Sequence, residues 1–368
     1  MSTVISVVGA RPNFMKAAPV KHAFERIPSV RHLLVHTGQH YDPNMSDVFF
    51  EDLGMGKPDL YLNVGSGSHA AQTAKVMVEF ERVCLEERPA MVIVYGDVNS
   101  TLAAGVVAKK LNVPLAHVES GLRSFDRRMP EEINRIATDA ITDLFFVTEE
   151  SGRRNLMHEG IRAQDIHLVG NTMIDSLARL CASHEPPVPD GDYFVLTLHR
   201  PSNVDDPAAL RRLLDAIDEG AGEMGIRFPV HPRTEAAMRA SGDYDRIASN
   251  PRWRLLPPAG YSEFIQMVRA ARGVITDSGG VQEETTWLGI PCLTLRESTE
   301  RPSTVEVGTN HLIGVEPLMV RDAVARITAS APAGTEQERH SVPPLWDGDA
   351  ASRIARAVVR YLEQHTHS

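Results

Sequence analysis

Residues 273–284 read G-V-I-T-D-S-G-G-V-Q-E-E. Val274, Ile275 and Thr276 are the β-branched run of a buried parallel strand. The run stops at Asp277-Ser278-Gly279-Gly280, and Val281 opens a helical pattern that continues through Trp287 and Leu288. This strand, glycine turn and helix start is a cradle for phosphate: glycine lets the backbone approach a ligand, and the first helical turn presents N–H groups backed by the helix dipole. Glu283 and Glu284 would repel a phosphate placed on them, so their carboxylates are expected to reach sideways to neutral hydroxyls such as a ribose. Diphosphate over Ser278, Gly279 and Gly280 with a sugar on Glu284 makes a nucleotide site. A lone Ser-Gly-Gly is more often a plain turn; the flanking acids and a matching rim in the first half of the chain favour the site.

The 368 residues suffice for two domains with full cores, and 42% hydrophobic with 23% charged residues is the composition of a globular chain. A net charge of −10 argues against a nucleic-acid or anionic-lipid surface. Cys84, Cys181 and Cys292 lie far apart in apolar contexts, as reduced core thiols do. No run reaches membrane-spanning length, and Val4–Val8 is too short for a signal peptide. The expected location is the cytoplasm.

From Val4 onward, strand-length apolar runs alternate with amphipathic helical stretches: Phe14–Arg26, His32–His36, Ala70–Glu87, Met91–Tyr95, Thr101–Leu111, Leu115–Val118, Glu131–Ala140 and Leu144–Val147. Such alternation implies α/β architecture with a parallel sheet covered on both faces, and ligands bind these sheets at the carboxyl ends of the strands. A proline-rich stretch, residues 184–192, reads as a linker. The alternation then resumes through Cys292–Leu295, and Ala350–Glu363 reads as a final amphipathic helix. The expected domains are 1–170 and 171–349, facing each other across a cleft.

The unusual residues fall just after the apolar runs. Arg11 and Lys16 follow the first strand, Asp97 follows Met91–Tyr95, Glu119 follows Leu115–Val118, and Glu131 opens the next helix. Singly, Asp97 is a turn former and Glu131 a helix-start acid. Gathered on one rim, three carboxylates shift one another's pKa values and supply both an acid and a base. His199 ends the strand Tyr193–Leu198 on the second rim, where it is suited to hydrogen-bond a diphosphate leaving group. Arg301, in Arg296–Pro302, is expected to serve the phosphates or to pair with Glu300 or Glu284. Gly65-Ser66-Gly67-Ser68-His69-Ala70 matches a dinucleotide fingerprint, but it does not follow the first strand and no acid follows in the required place, so it reads as a loop and helix cap. No zinc, calcium or nucleophile-elbow spacing occurs, and no metal site is expected.

Taken together, G-A-R-P at 9–12 with Lys16, T-G-Q-H at 37–40, Y-G-D at 95–97, H-V-E-S-G-L-R at 117–123, M-P-E-E-I-N-R at 129–135, V-G-N-T at 169–172, L-H-R at 198–200, D-S-G-G-V-Q-E-E at 277–284 and S-T-E-R-P at 298–302 resemble the non-hydrolysing UDP-N-acetylglucosamine 2-epimerases. The resemblance implies two Rossmann-like domains in glycosyltransferase-B architecture with the C-terminal helix, 350–368, returning to the first, the UDP-sugar in the cleft, no cofactor and a homodimer. It also implies abstraction of the C2 proton, loss of UDP to a 2-acetamidoglucal, and readdition to give the manno epimer. It makes Asp97, Glu119 and Glu131 the catalytic carboxylates, without saying which is acid and which base, and His199 the leaving-group partner. By the same resemblance Arg11 and Lys16 contact phosphates or sugar, Arg135 orients the carboxylates, and Phe264 lies near uracil. Ser278, Gly279, Gly280, Glu284 and Arg301 hold the nucleotide. Gln39, His40, Gln72 and His231 partly match a regulatory UDP-sugar site of some members.

The chain departs from that pattern at Asn13, at Pro201-Ser202 after His199-Arg200, at Ser303, and in Phe125-Asp126-Arg127-Arg128 between two of the carboxylates. These sugar-side changes leave room for a modified sugar such as a 2,3-diacetamido uronic acid. The rival readings are a UDP-sugar glycosyltransferase, which needs no full carboxylate set, a hydrolysing epimerase, and a non-catalytic UDP-sugar sensor.

Overall fold

A computed structural model describes residues 1–38, 54–188, 191–330 and 341–365, Arg11 by its backbone alone. The chain forms two compact units, 1–180 with 344–368 and 181–343.

The first unit runs β1 (Ser2–Val8), α1 (Arg11–Glu25), β2 (Val30–His36), β3 (Leu60–Tyr61), α2 (His69–Glu87), β4 (Met91–Tyr95), α3 (Asn99–Lys110), β5 (Leu115–Val118), α4 (Pro130–Asp139), β6 (Leu144–Val147), α5 (Glu150–His158), β7 (Ile166–Leu168) and α6 (Thr172–Ser183). Its parallel sheet has the order β3-β2-β1-β4-β5-β6-β7. The strand residues are apolar on both faces because helices cover both. Ile5, Val7, Val92, Val94 and Leu115 pack with Phe80 and Val83 of α2 and Ala104 and Val107 of α3. Strand order reverses between β1 and β4, and at such a reversal the carboxyl ends of the strands leave a crevice.

The second unit runs β8 (Tyr193–Thr197), α7 (Pro201–Val204), α8 (Pro207–Ala221), β9 (Gly225–Pro229), α9 (Pro232–Ser241), α10 (Asp243–Ala248), β10 (Trp253–Leu256), α11 (Tyr261–Arg269), β11 (Gly273–Thr276), α12 (Gly279–Leu288), β12 (Cys292–Thr294), α13 (Pro302–Glu306), β13 (Asn310–Leu312) and α14 (Pro317–Ala329). The order β10-β9-β8-β11-β12-β13 again reverses, here between β8 and β11. One face buries Phe194, Leu196, Ile226 and Phe228 against Leu214 and Ile217 of α8. The other buries Val195 and Val274 against Met267, Val268 and Val281.

The last helix, α15 (Ala350–His365), belongs to the first unit and buries Ile354, Val358 and Leu362. The buried Asp175 of α6 accepts hydrogen bonds from Ala350 N (3.1 Å) and Ala351 N (2.7 Å), two donors that the start of a helix leaves open. Trp346 Nε1 donates to Thr148 O at 2.9 Å, and Ser176 Oγ of α6 donates to Met15 O at 2.6 Å. The bonds of Asp175 and Ser176 tie α6 to the first unit, and the units part within α6, beyond the break at Gly170–Thr172 marked in the sequence.

Strands β3, β7 and β13 are edge strands of two or three residues with polar members, too short for a period-2 pattern to register. The Gly65–Ala70 stretch is a loop and cap, with Ser68 Oγ accepting from Ala71 N at the start of α2. Among the described residues no helix is long and apolar enough to cross a membrane, and the three cysteines are free thiols.

Candidate functional site

In the first unit, the ends of β1, β4 and β5 carry the residues marked in the sequence. Asn13, at the start of α1, accepts from Gly9 N (3.1 Å) and Ala10 N (3.2 Å) and donates to Tyr95 O (2.9 Å), tying the end of β1 to the end of β4. Lys16, one turn further, is buried and forms an ion pair with the buried Glu119. Its ammonium fills the space beside Gly96, where a Cβ would come within 2.9 Å of Nζ and where φ is +60°. Glycine is the residue that fits there. Glu119 itself has φ +69°, a left-handed backbone that is costly for a side chain with a Cβ. Strain of this kind persists where surrounding structure enforces it, and it gathers at functional sites.

The surroundings of Glu119 are visible. The buried Asp139 faces His117 Nδ1 with Oδ1 at 2.7 Å, while its Oδ2 accepts from Gly121 N at 3.0 Å and lies 2.8 Å from Arg123 Nη1. Burial alone would raise the Asp139 carboxyl, but the charges of His117 and Arg123 outweigh it and hold the pKa below the ordinary carboxylate range. His117 Nε2 is 2.8 Å from Gly96 O, so one buried cluster braces both sides of Glu119 and the turn before Asp97.

Asp97 is half-buried and paired with Arg135 Nη1, and Asn134 Nδ2 donates to its carbonyl at 2.9 Å. Arg135 is also held by Glu132, 2.9 Å from Nε and 2.8 Å from Nη2. Glu132 accepts from Ser124 N and Phe125 N at 3.0 and 2.9 Å. Burial works against its charged form, yet these donors and Arg135 keep its pKa low. The structure thus joins Lys16 to Glu119 and Arg135 to Asp97 on one rim. Glu131, expected beside them, is exposed at the first turn of α4, and its neighbour Glu132 is the buried acid. The acidic pair Glu131-Glu132 was visible in the sequence, but which member turns inward is set by the rotation of α4. Arg11 is the first residue of α1. Gln72 is buried and accepts from Asn99 Nδ2 at 2.8 Å, and Asn99 in turn meets Asn134. Gln39 and His40 lie outside the described residues.

In the second unit, His199 follows β8 and Asp277 follows β11, the two strands at the reversal of order. Asp277 is fully buried and lies 2.8 Å from His199 Nδ1. Its carboxyl is held low despite burial by His199 and by the N–H groups of Arg200 and His199. No role for Asp277 was read from the sequence, although its place at a strand end was a signal.

Ser278 caps α12, and Gly279 and Gly280 form its first turn, all three partly exposed. A Cβ on Gly279 would lie 2.7 Å from Arg301 Nη1 and 3.0 Å from Glu300 Oε1. Arg301 pairs with Glu300 (2.7 Å) and Glu283 (3.0 Å), and Glu300 also pairs with Arg296 (2.8 Å). Of the two partners expected for Arg301, Glu300 is therefore met, while Glu283 stands where Glu284 was the alternative. Glu284 is buried, hydrogen-bonds Tyr261, and has its pKa pushed up to about 8 by burial and by the adjacent Glu283, against the pull of the Tyr261 bond. Phe264 is partly buried in α11 against the cluster around Val195 and Val274. His231 caps α9, its Nδ1 accepting from Arg233 N at 3.2 Å, and its ring lies 5.8 Å from that of His199.

The family model described as UDP-N-acetylglucosamine 2-epimerase matches residues 22–359. A UDP-N-acetylglucosamine 2-epimerase of Methanocaldococcus jannaschii is 40% identical over 362 residues, 95% of this chain and 97% of that protein. A UDP-2,3-diacetamido-2,3-dideoxy-D-glucuronate 2-epimerase of Pseudomonas aeruginosa is 39% identical over 363 residues, 97% and 99% of the two chains. Among solved structures, that of the M. jannaschii UDP-GlcNAc 2-epimerase in complex with UDP-GlcNAc and UDP is similar at TM-score 0.85 and 40% identity, covering 98% of this chain and 100% of that one.

Proposed function

The chain belongs to the UDP-N-acetylglucosamine 2-epimerase family, of glycosyltransferase-B fold class, and we propose that it interconverts UDP-N-acetylglucosamine and UDP-N-acetylmannosamine. A carboxylate removes the C2 proton, the C–H electron pair forms the C1–C2 double bond, and the C1–O pair leaves with UDP. Readdition of UDP to the 2-acetamidoglucal, with a proton delivered to the other face of C2, completes the epimerisation. Asp97, Glu119 and Glu131 are the candidate acid and base groups, with Arg135 paired to Asp97 and Lys16 to Glu119. In the second unit, Ser278, Gly279 and Gly280 hold the diphosphate, Glu284 with its raised pKa faces the ribose hydroxyls, and His199 assists the departing oxygen.

The observation that carries this reading is the buried Lys16–Glu119 pair at a left-handed backbone position beside Asp97. Burying a charged pair under backbone strain opposes folding, and a proton-transfer role accounts for its presence. Incubation with UDP-N-acetylglucosamine in D₂O, followed by proton NMR, tests it. Deuterium at C2 of both epimers is the expected result; release of free sugar without UDP-linked epimer points to hydrolysis, and no exchange at all defeats the assignment.

The 39% identity to the P. aeruginosa protein supports a second substrate, a UDP-2,3-diacetamido uronic acid. The same exchange experiment with that sugar decides between them. We further propose a cytoplasmic homodimer that supplies cell-surface polysaccharide precursors, with light scattering as the check on its mass.

A further inference from the structure

We propose that Asp277 is a positioning residue for this reaction, acting through His199: it fixes the imidazole with Nδ1–H turned to itself and Nε2 presented to the diphosphate that leaves C1. This rests on the epimerase reading above.

Asp277 is fully buried and saturated with donors. It accepts from His199 N at 3.0 Å, Arg200 N at 2.9 Å and Asn203 Nδ2 at 3.1 Å, and His199 Nδ1 faces it at 2.8 Å. An ionised carboxylate only accepts, so the nitrogen that faces it carries the hydrogen. That leaves Nε2 as the ring atom that gains or loses a proton. The His199 side chain is 41% exposed while its partner is 0% exposed, so the ring is anchored on its inner edge and open on its outer one. The anchor and the ring follow β11 and β8, the neighbours at which strand order reverses, and the Ser278–Gly280 turn begins at the next residue after Asp277. His231 is the other titratable ring against His199, at 5.8 Å between centroids.

The same carboxylate also holds two backbone amides, so a simple turn-bracing role is the competing account. A double-mutant cycle on the full chain separates the two. Asp277→Asn keeps the shape and accepting capacity toward the amides but no longer dictates the tautomer. We expect its kcat on UDP-N-acetylglucosamine to fall about 10²-fold or more, with the Kd for UDP by calorimetry kept within about twofold. In a His199→Gln background, Asp277→Asn should cost no further kcat. Additive losses in the double variant, wild-type kcat in Asp277→Asn, or weakened UDP binding that accounts for the whole effect would each overturn the proposal.

Ring ¹⁵N NMR of the wild-type protein, with His199→Gln for assignment, gives a readout that needs no Asp277 variant to fold. A protonated Nδ1 supports the proposal, and an unprotonated Nδ1 overturns it. Absence of wild-type turnover on either UDP-sugar would instead bring down the functional reading, and this inference with it.

Discussion

Lys16 Nζ and the Glu119 carboxylate meet in the interior of the first unit, with side-chain exposures of 6% and 5%. Removing one member of such a pair leaves the other as an uncompensated buried charge. Lys16→Met is expected to cost about 3–5 kcal/mol of stability in urea denaturation. Glu119→Gln keeps the shape but strands the Lys16 charge, so it too should lose stability while still folding, and turnover should fall by about 10²–10⁴. A folded Glu119→Gln enzyme that retained its activity would reduce the pair to a structural one.

Glu131 and Glu132 are sequence neighbours with opposite surroundings. Glu132 holds Arg135 and two amides of the loop before α4, and Glu132→Gln should lower stability by about 2 kcal/mol or more. Glu131 is exposed, and Glu131→Gln should leave thermal unfolding unchanged while cutting turnover about 10²-fold. A Glu131→Gln enzyme with full activity would move the third carboxylate role elsewhere.

Much of this was legible in the sequence because each site residue directly follows an apolar run, and in a parallel α/β sheet that position is the ligand rim. Asp97, Glu119 and the Ser278–Gly280 turn stand out that way, whereas Lys16 lies within the helix after the first strand. The rest depends on rotation and partners that no single stretch encodes. Which of two adjacent acids turns inward at α4 depends on Ser124, Phe125 and Arg135. The pairing of Asp277 with His199 joins strand ends 78 positions apart in the chain. The Asp139 cluster that braces Glu119 uses a residue at the far end of α4, where an acid at a helix end gives no signal of its own.

Glu284 carries a prediction about pH. Its folded pKa of about 8 lies above the ordinary 4.5, so between those values the folded state binds the extra proton. Stability from this group is therefore present below about 4.5 and is lost as pH rises toward 8. The thermal midpoint of the wild type, measured relative to Glu284→Gln, should fall across that window and level off above it. A constant difference between the two curves would mean that Glu284 is ionised at neutral pH.

Gly279 tests the cradle. An added Cβ meets Arg301 Nη1 at 2.7 Å and Glu300 Oε1 at 3.0 Å, so Gly279→Ala must displace that ion pair from the start of α12. The expected effect is UDP binding weakened about tenfold or more by calorimetry, with the far-ultraviolet spectrum unchanged. Unaltered affinity would place the diphosphate away from this turn.

The first unit is assembled from two separated stretches, 1–180 and 344–368, whereas the second is one continuous segment between them. On the ribosome, the segment through Pro343 emerges whole and is able to close before α15 exists, while the earlier half waits with Asp175 uncapped and the Ile354, Val358 and Leu362 surface still unmade. A stop codon just before Ala350 would therefore spare the later-made segment and leave the first-made one unfinished.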